Sequence, residues 1–189
     1  TQPDVPVGGV AAQDFPAATP VGNHTLGLSA GPFFPIRLLS GQASKLFGET
    51  LMPSWTVTLT EPIGAGWYQG QLSLGAELIA FHTAEPMTAY GVGFTPKLVY
   101  TSTAFGRVRP FIEGGGGPMW TDLGGRVPEQ PGQFNFLVWG GAGCSYQMTR
   151  HWALNAGYRI MHISNAGTRD PNSGLNVGLP FIGLSYQGF

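Results

Sequence analysis

The sequence predicts an all-β fold: an eight-stranded antiparallel transmembrane β-barrel over residues 24–189, preceded by an extended N-terminal tail over residues 1–23. Three observations predict it. Hydropathy alternates with period two over stretches of ten or more residues, the mark of strands with one apolar face. These stretches are even in number, and their connections alternate in length, as in outer-membrane barrels. Charge is sparse: Asp, Glu, Lys and Arg make up 10% of the 189 residues, against roughly a quarter in ordinary soluble domains.

Composition narrows the field further. The length suits one domain with a real core. Nine Lys and Arg against ten Asp and Glu leave a formal net charge of -1. That balance supplies no basic footprint, so nucleic acid is not an expected partner. A hydrophobic content of 42% argues against disorder. No run of 18 apolar residues exists, so no transmembrane helix is expected. The start, Thr1-Gln-Pro-Asp4, has no basic region followed by an apolar stretch, and any signal peptide is expected to have been removed already. Cys144 is the one cysteine and has no Cys or His at metal-ligand spacing. It is expected to be a small buried or lipid-facing residue, with no metal site.

The tail, 1–23, is rich in Pro, Ala and Gly and has no periodicity. Such a segment orders only when something ties it down; a periplasmic or envelope protein partner, or the barrel's own lumen, would do so. Strands are expected at 24–34, 50–62, 67–82, 88–102, 107–122, 133–149, 151–165 and 174–189. From Trp67 to His82 one parity carries Tyr68, Leu72, Leu74 and Leu78, and the other Gln69, Gln71, Ser73 and Glu77. From Tyr90 to Thr101, Val92, Phe94 and Leu98 alternate with Gly93, Thr95 and Lys97. Long connections are expected at 35–49, 83–87, 123–132 and 166–173, and short ones at 63–66, 102–106 and 149–150. Trp55, Trp67, Tyr68, Trp120 and Trp152 fall at strand ends, where interfacial girdles lie, and the chain ends on Phe189.

A soluble eight-stranded barrel of lipocalin type is the competing fold. It would carry charge outside over an apolar interior, whereas here the second parity is Gln, Ser, Thr, Gly and a few charges, suited to a packed polar interior. Glu113, Arg109 and Arg159 share that inner parity and predict an internal ion-pair network, which Glu77 and Lys97 could join. Eight strands leave room only for side chains, so a pore is not expected. His82 and Glu85 fall at a loop edge as a solvated pair. Gly114–Gly117 precedes no helix and no Gly-Lys-Ser/Thr, so it is not a phosphate loop. It is expected to let the strand bend or a neighbour approach closely.

The strand from Trp152 carries the candidate chemistry. Its even positions, Trp152, Leu154, Ala156, Tyr158 and Ile160, form a lipid-facing row that ends in His162 and Ser164. Polar groups on such a face are costly unless they act. With periplasmic termini this strand runs outward, so the pair lies at the extracellular leaflet, placed to attack an ester of an outer-leaflet lipid.

The run His162-Ile-Ser-Asn-Ala-Gly167 followed by Pro171-Asn-Ser-Gly-Leu-Asn176 resembles the motif of the lipid A 3-O-deacylases, the PagL family of acyloxyacyl hydrolases. Arg109-Pro-Phe-Ile-Glu-Gly-Gly-Gly-Gly117, Phe134-Asn-Phe136 and Tyr158-Arg159 are similar to that family as well, so the resemblance runs from about residue 50 to the end. It implies Ser164 as nucleophile and His162 as general base, then acid. It implies an oxyanion hole made by the Asn172 side-chain amide and the Gly167 backbone N–H, with Asn165 shaping the turn. No cofactor is implied. Type members carry a glutamate fourteen residues after the histidine; here Asn176 stands in that place. Asparagine can accept a hydrogen bond from the imidazole but cannot stabilise its charged form, so a weaker enzyme is expected. Asp170 would replace the missing acid if its loop folded back. The alternative reading is a non-catalytic outer-membrane barrel that anchors or braces a larger envelope assembly through residues 1–23.

Overall fold

The computed structural model describes residues 15–16, 18–37, 45–130, 132–170 and 173–188. Asn172 and Phe189 lie outside the described residues, as does most of the tail. Eight strands follow one another: β1 His24–Pro35, β2 Phe47–Thr58, β3 Gly70–Glu85, β4 Ala89–Ser102, β5 Val108–Thr121, β6 Phe134–Gln147, β7 Trp152–Ser164 and β8 Leu175–Gln187. Each pairs antiparallel with the next, and β8 returns to pair with β1, closing the barrel. Closure leaves no edge of unpaired N–H and C=O groups, the condition lipid imposes on a sheet that spans it.

One row of every strand faces outward and is apolar: Leu26, Leu74, Val92, Ile112, Val138 and Ile182 are all exposed. Cys144 stands on this outer wall. Water would not tolerate so continuous an apolar surface. The lipocalin-type alternative, which needs a charged exterior, is thereby excluded.

Two connections differ from expectation. The stretch 63–66 does not stand alone as a short turn; the link between β2 and β3 runs over 59–69 and includes a 3-10 turn at Gly66–Tyr68. Pro62, which has no N–H to donate, and the left-handed Gly64 and Gly66 break the ladder where period-two hydropathy continues. Conversely, 83–87 is mostly strand, because β3 runs on to Glu85 and only 86–88 is left as a turn. His82 thus sits on the outer face of a strand, where its Nδ1 lies 3.3 Å from Glu49, not beside Glu85 in a loop.

The lumen has two zones. The half nearer the termini is polar, enclosing a cavity of about 140 Å³ lined by Ser54, Thr56, Gln71, Ser73 and Asn155 among others. The other half is an apolar core of Phe33, Met52, Ile79, Phe81, Leu137, Met161, Ile163 and Leu179. The expected packed polar interior is therefore corrected for this half. The inner parity of β3 turns from Glu77 to Ile79 and Phe81, and that of β7 from Arg159 to Met161 and Ile163, so the inner face is apolar at that end.

Between the zones lies a four-membered charge ring. Glu77 accepts from Arg159 (2.5 Å) and Lys97 (3.1 Å), and Glu113 accepts from Arg159 (2.7 Å) and Lys97 (2.9 Å). Two carboxylates alternate with two cations, which is the geometry that offsets the cost of taking four charges out of water. The Trp139 ring lies 4.1 Å from the Arg159 guanidinium. Gly115 makes room for it, since a Cβ there would stand 2.9 Å from Trp139 Cζ2. Arg109, expected in this network, is not part of it. Its guanidinium donates to the Pro16 carbonyl (2.6 Å) and Thr19 Oγ1 (3.2 Å). Gln71 grips Thr19 through both its backbone N–H and its C=O. The described part of the tail is thus tied down by the barrel's own interior, at the mouth opposite the β7–β8 loop.

Candidate active site

β7 carries His162 and Ser164 at its end. Alternation along the strand turns Met161 and Ile163 into the apolar core, each nearly fully buried, so the intervening His162 and Ser164 point to the outer wall. The packed inner side chains give the outward pair a firm base. Ile163 is also held through its carbonyl, which accepts from Nε2 of the wholly buried Gln130 at 3.0 Å. The Gln130 contact had no signal in the sequence, because Gln130 lies in a Pro-flanked loop segment with no motif.

β8 supplies the partner of the imidazole. Its register places Asn176 directly opposite His162, and His162 Nδ1 lies 2.8 Å from Asn176 Oδ1. With the amide oxygen as acceptor, the ring is the tautomer protonated at Nδ1, leaving Nε2 free to take a proton. Asp170 is exposed in the loop, and among the described residues no hydrogen bond or ion pair joins it to the ring. The acid position is filled by an amide.

Gly174 lies against the His162 ring, a contact that sequence reasoning missed. Its φ is +67°, and a Cβ built on it would stand 3.0 Å from His162 Nε2, with the Cε1 atom closer still. The imidazole therefore lies flat on bare backbone. The available signal was a Ser-Gly pair just before a strand, which reads equally well as an ordinary turn.

The loop after Ser164 is organised by Asn165, which is buried. Its Oδ1 accepts from the Gly167 N–H (2.9 Å) and its Nδ2 donates to the Arg169 carbonyl (2.8 Å). Its own carbonyl accepts from Thr168 Oγ1 at 2.8 Å. Ala166 takes a left-handed conformation, φ 54°, uncommon outside glycine. Strain of this kind, of order 1–3 kcal/mol, persists where surrounding contacts impose it. The Gly167 N–H, one of the two implied oxyanion donors, is thus already engaged by Asn165, and Asn172, the other, lies outside the described residues. Among the described residues no hydrogen bond joins Ser164 to His162. Neighbouring catalytic groups are often this loosely arranged before substrate binds.

Around the pair the outer wall is apolar. Ser164 faces Phe136 and His162 faces Val138 across the β6–β7 ladder. Phe134 and Phe136 pack edge to face at 5.4 Å, and Ile160 and Tyr158 continue the row along β7. No cluster of His, Cys, Asp or Glu among the described residues could hold a metal.

Comparison with known proteins agrees with the barrel fold. The solved structure of the outer membrane enzyme PagL is similar over 85% of this chain and 97% of its own, at 22% identity and a TM-score of 0.56. Neisserial surface protein A (NspA) is similar over 87% of this chain and 96% of its own, at 15% identity and a TM-score of 0.56. At these identities the likeness shows the fold, an outer-membrane β-barrel. Among curated proteins none matches the chain. The family model described as lipid A 3-O-deacylase (PagL) matches residues 45–186, most of the chain, with all the strands from β2 to β7, the β7–β8 loop and all but the last residue of β8. The chain belongs to the lipid A 3-O-deacylase family.

Proposed function

We propose that the protein is a serine esterase of the outer membrane that removes an acyl chain from lipid A or a related outer-leaflet lipid. The observation that carries this reading is the 2.8 Å contact between His162 Nδ1 and Asn176 Oδ1, with Ser164 two residues along on the same lipid-facing row. Nε2 of the oriented ring takes the proton of Ser164 as Oγ bonds to the ester carbonyl carbon. The tetrahedral intermediate collapses, the C–O bond to the sugar breaks, and Nε2 returns the proton to the departing sugar oxygen. Water then cleaves the acyl-serine by the same proton route, releasing a fatty acid. The developing oxyanion draws on Asn172 and on the Gly167 N–H, which Asn165 Oδ1 shares or yields at that moment. The acyl chain lies along Val138, Ile160 and Tyr158, already in the hydrocarbon.

Purified wild-type and Ser164→Ala proteins incubated with lipid A test the reading. Mass spectrometry is expected to show one acyl chain lost with wild type alone. Wild-type and Ser164→Ala proteins that both fold, seen as heat-modifiable gel mobility, and both leave the lipid intact would overturn it. The anchoring reading through residues 1–23 would then stand. Its test is deletion of residues 1–20 and loss of a co-extracted protein in mild detergent.

A further inference from the structure

Above Ser164, between the β5–β6 loop (122–133) and the β7–β8 loop (165–174), lies an open cleft of about 690 Å³ bounded by Gly124, Gly132, Gln133, Phe134, Thr168 and Arg169. Among the described residues Arg169 is its one charged wall. The side chain crosses bare backbone at Gly132, where a Cβ would meet its NH1 at 3.5 Å and its Cδ at 3.7 Å. Its carbonyl is fixed by Asn165 Nδ2, which anchors Arg169 to the residue that follows Ser164.

Three other arginines of the barrel are held by protein partners. Arg126 pairs with Asp122 at 3.1 Å, Arg159 belongs to the charge ring, and Arg109 holds the tail. Among the described residues no carboxylate pairs with the Arg169 guanidinium. Asp170 carries the opposite charge on the same loop but does not line the cleft.

Position then decides the ligand. Below Ser164 the outer wall is hydrocarbon-facing; Phe134, packed on Phe136 opposite Ser164, forms the boundary between that wall and the cleft. A lipid with its ester carbonyl at Ser164 sends its acyl chain down the apolar wall and its head up into the cleft. A guanidinium fork with no partner among the described residues, beside the exposed Gln133 amide, is suited to tetrahedral oxyanions. We infer that this cleft binds a phosphate group on the sugar head of the lipid substrate, with Arg169 as the residue that selects for it. The inference rests on the esterase reading for its substrate, and the experiment separates the two.

The probes are lipid A carrying both phosphates and the same lipid after enzymatic dephosphorylation, each in mixed micelles. Two ratios are read: the rate of fatty-acid release on the two lipids, and the affinity of the Ser164→Ala protein for them. A partly exposed charge-assisted contact predicts a wild-type preference of about tenfold for the phosphorylated lipid. Arg169→Gln is expected to bring both ratios close to one, and Arg169→Lys to keep most of the preference. High salt should shrink it. A preference that survives Arg169→Gln in a heat-modifiable, folded barrel overturns the assignment, as does its absence in wild type. If wild type cleaves neither lipid, the esterase reading falls alone, and the binding ratio still decides the cleft.

Discussion

On the proposed esterase reading, the amide at position 176 sets a chemical limit that one substitution should lift. Asn176 is 8% exposed and its Oδ1 stands 2.8 Å from His162 Nδ1, so Asn176→Asp places a carboxylate oxygen at the same point with no change of shape. In the proposed mechanism the imidazole becomes a cation as Ser164 gives up its proton. A neutral acceptor contributes about 0.5–1.5 kcal/mol to such a contact and a charged one about 1.5–3 kcal/mol. The difference, about 1–2 kcal/mol, appears only when the ring is charged, which is in the transition state. At 1.36 kcal/mol per tenfold, turnover should rise roughly five- to thirtyfold, with little change in KM. Asn176→Leu, which leaves Nδ1 unpartnered, should lose at least as much in the opposite direction. Initial rates of fatty-acid release from lipid A micelles, at equal amounts of heat-modifiable barrel, measure both. An Asn176→Asp protein that folds and turns over no faster would refute the reasoning, because it would mean that no charge builds on His162 in the slow step.

Other perturbations follow from the same contacts. Gly174→Ala pushes a methyl into the imidazole and forces alanine into a left-handed conformation; about 1–2 kcal/mol of stability is expected to go, with most of the esterase activity, and a fully active variant would remove Gly174 from the site. Glu77→Gln leaves Lys97 and Arg159 facing a single carboxylate in the lumen. Breaking a buried network from one side costs about 3–5 kcal/mol, so the temperature at which the folded gel band is lost should fall clearly. Arg109→Ala removes the donor to Pro16 and Thr19 and should make the segment around Phe15–Thr19 cleavable by added protease while the barrel stays intact.

Much of the fold was legible because membranes impose a simple pattern. Leu74, Leu78, Val92, Phe94 and Leu98 face lipid, and their period of two was enough to place β3 and β4 and to count eight strands. The inner rows were less legible. Gln71, Ser73 and Glu77 announce a polar lumen, but Ile79 and Phe81 continue the same row into an apolar core. A pattern read by parity registers only that the alternation fades there. Boundaries at 59–69 failed for a related reason: Leu59 and Ile63 keep an apolar rhythm where Pro62, Gly64 and Gly66 have already left the ladder.

Of the site, the sequence by itself determined the residues that share a strand. His162 and Ser164 are two apart on an outward row, and no folding is needed to put them on one face. What only the tertiary structure decided lies on other strands and loops: the register that brings Asn176 opposite His162, the bare backbone of Gly174 under the ring, Gln130 holding the Ile163 carbonyl, and Arg169 standing over Gly132. It decided as well that Arg109 grips Pro16 and Thr19, while Lys97, Glu77, Glu113 and Arg159 close a ring without it. Period and spacing encode which side of a strand a residue faces, whereas partnership across strands depends on register. Register is set by the closure of the whole sheet.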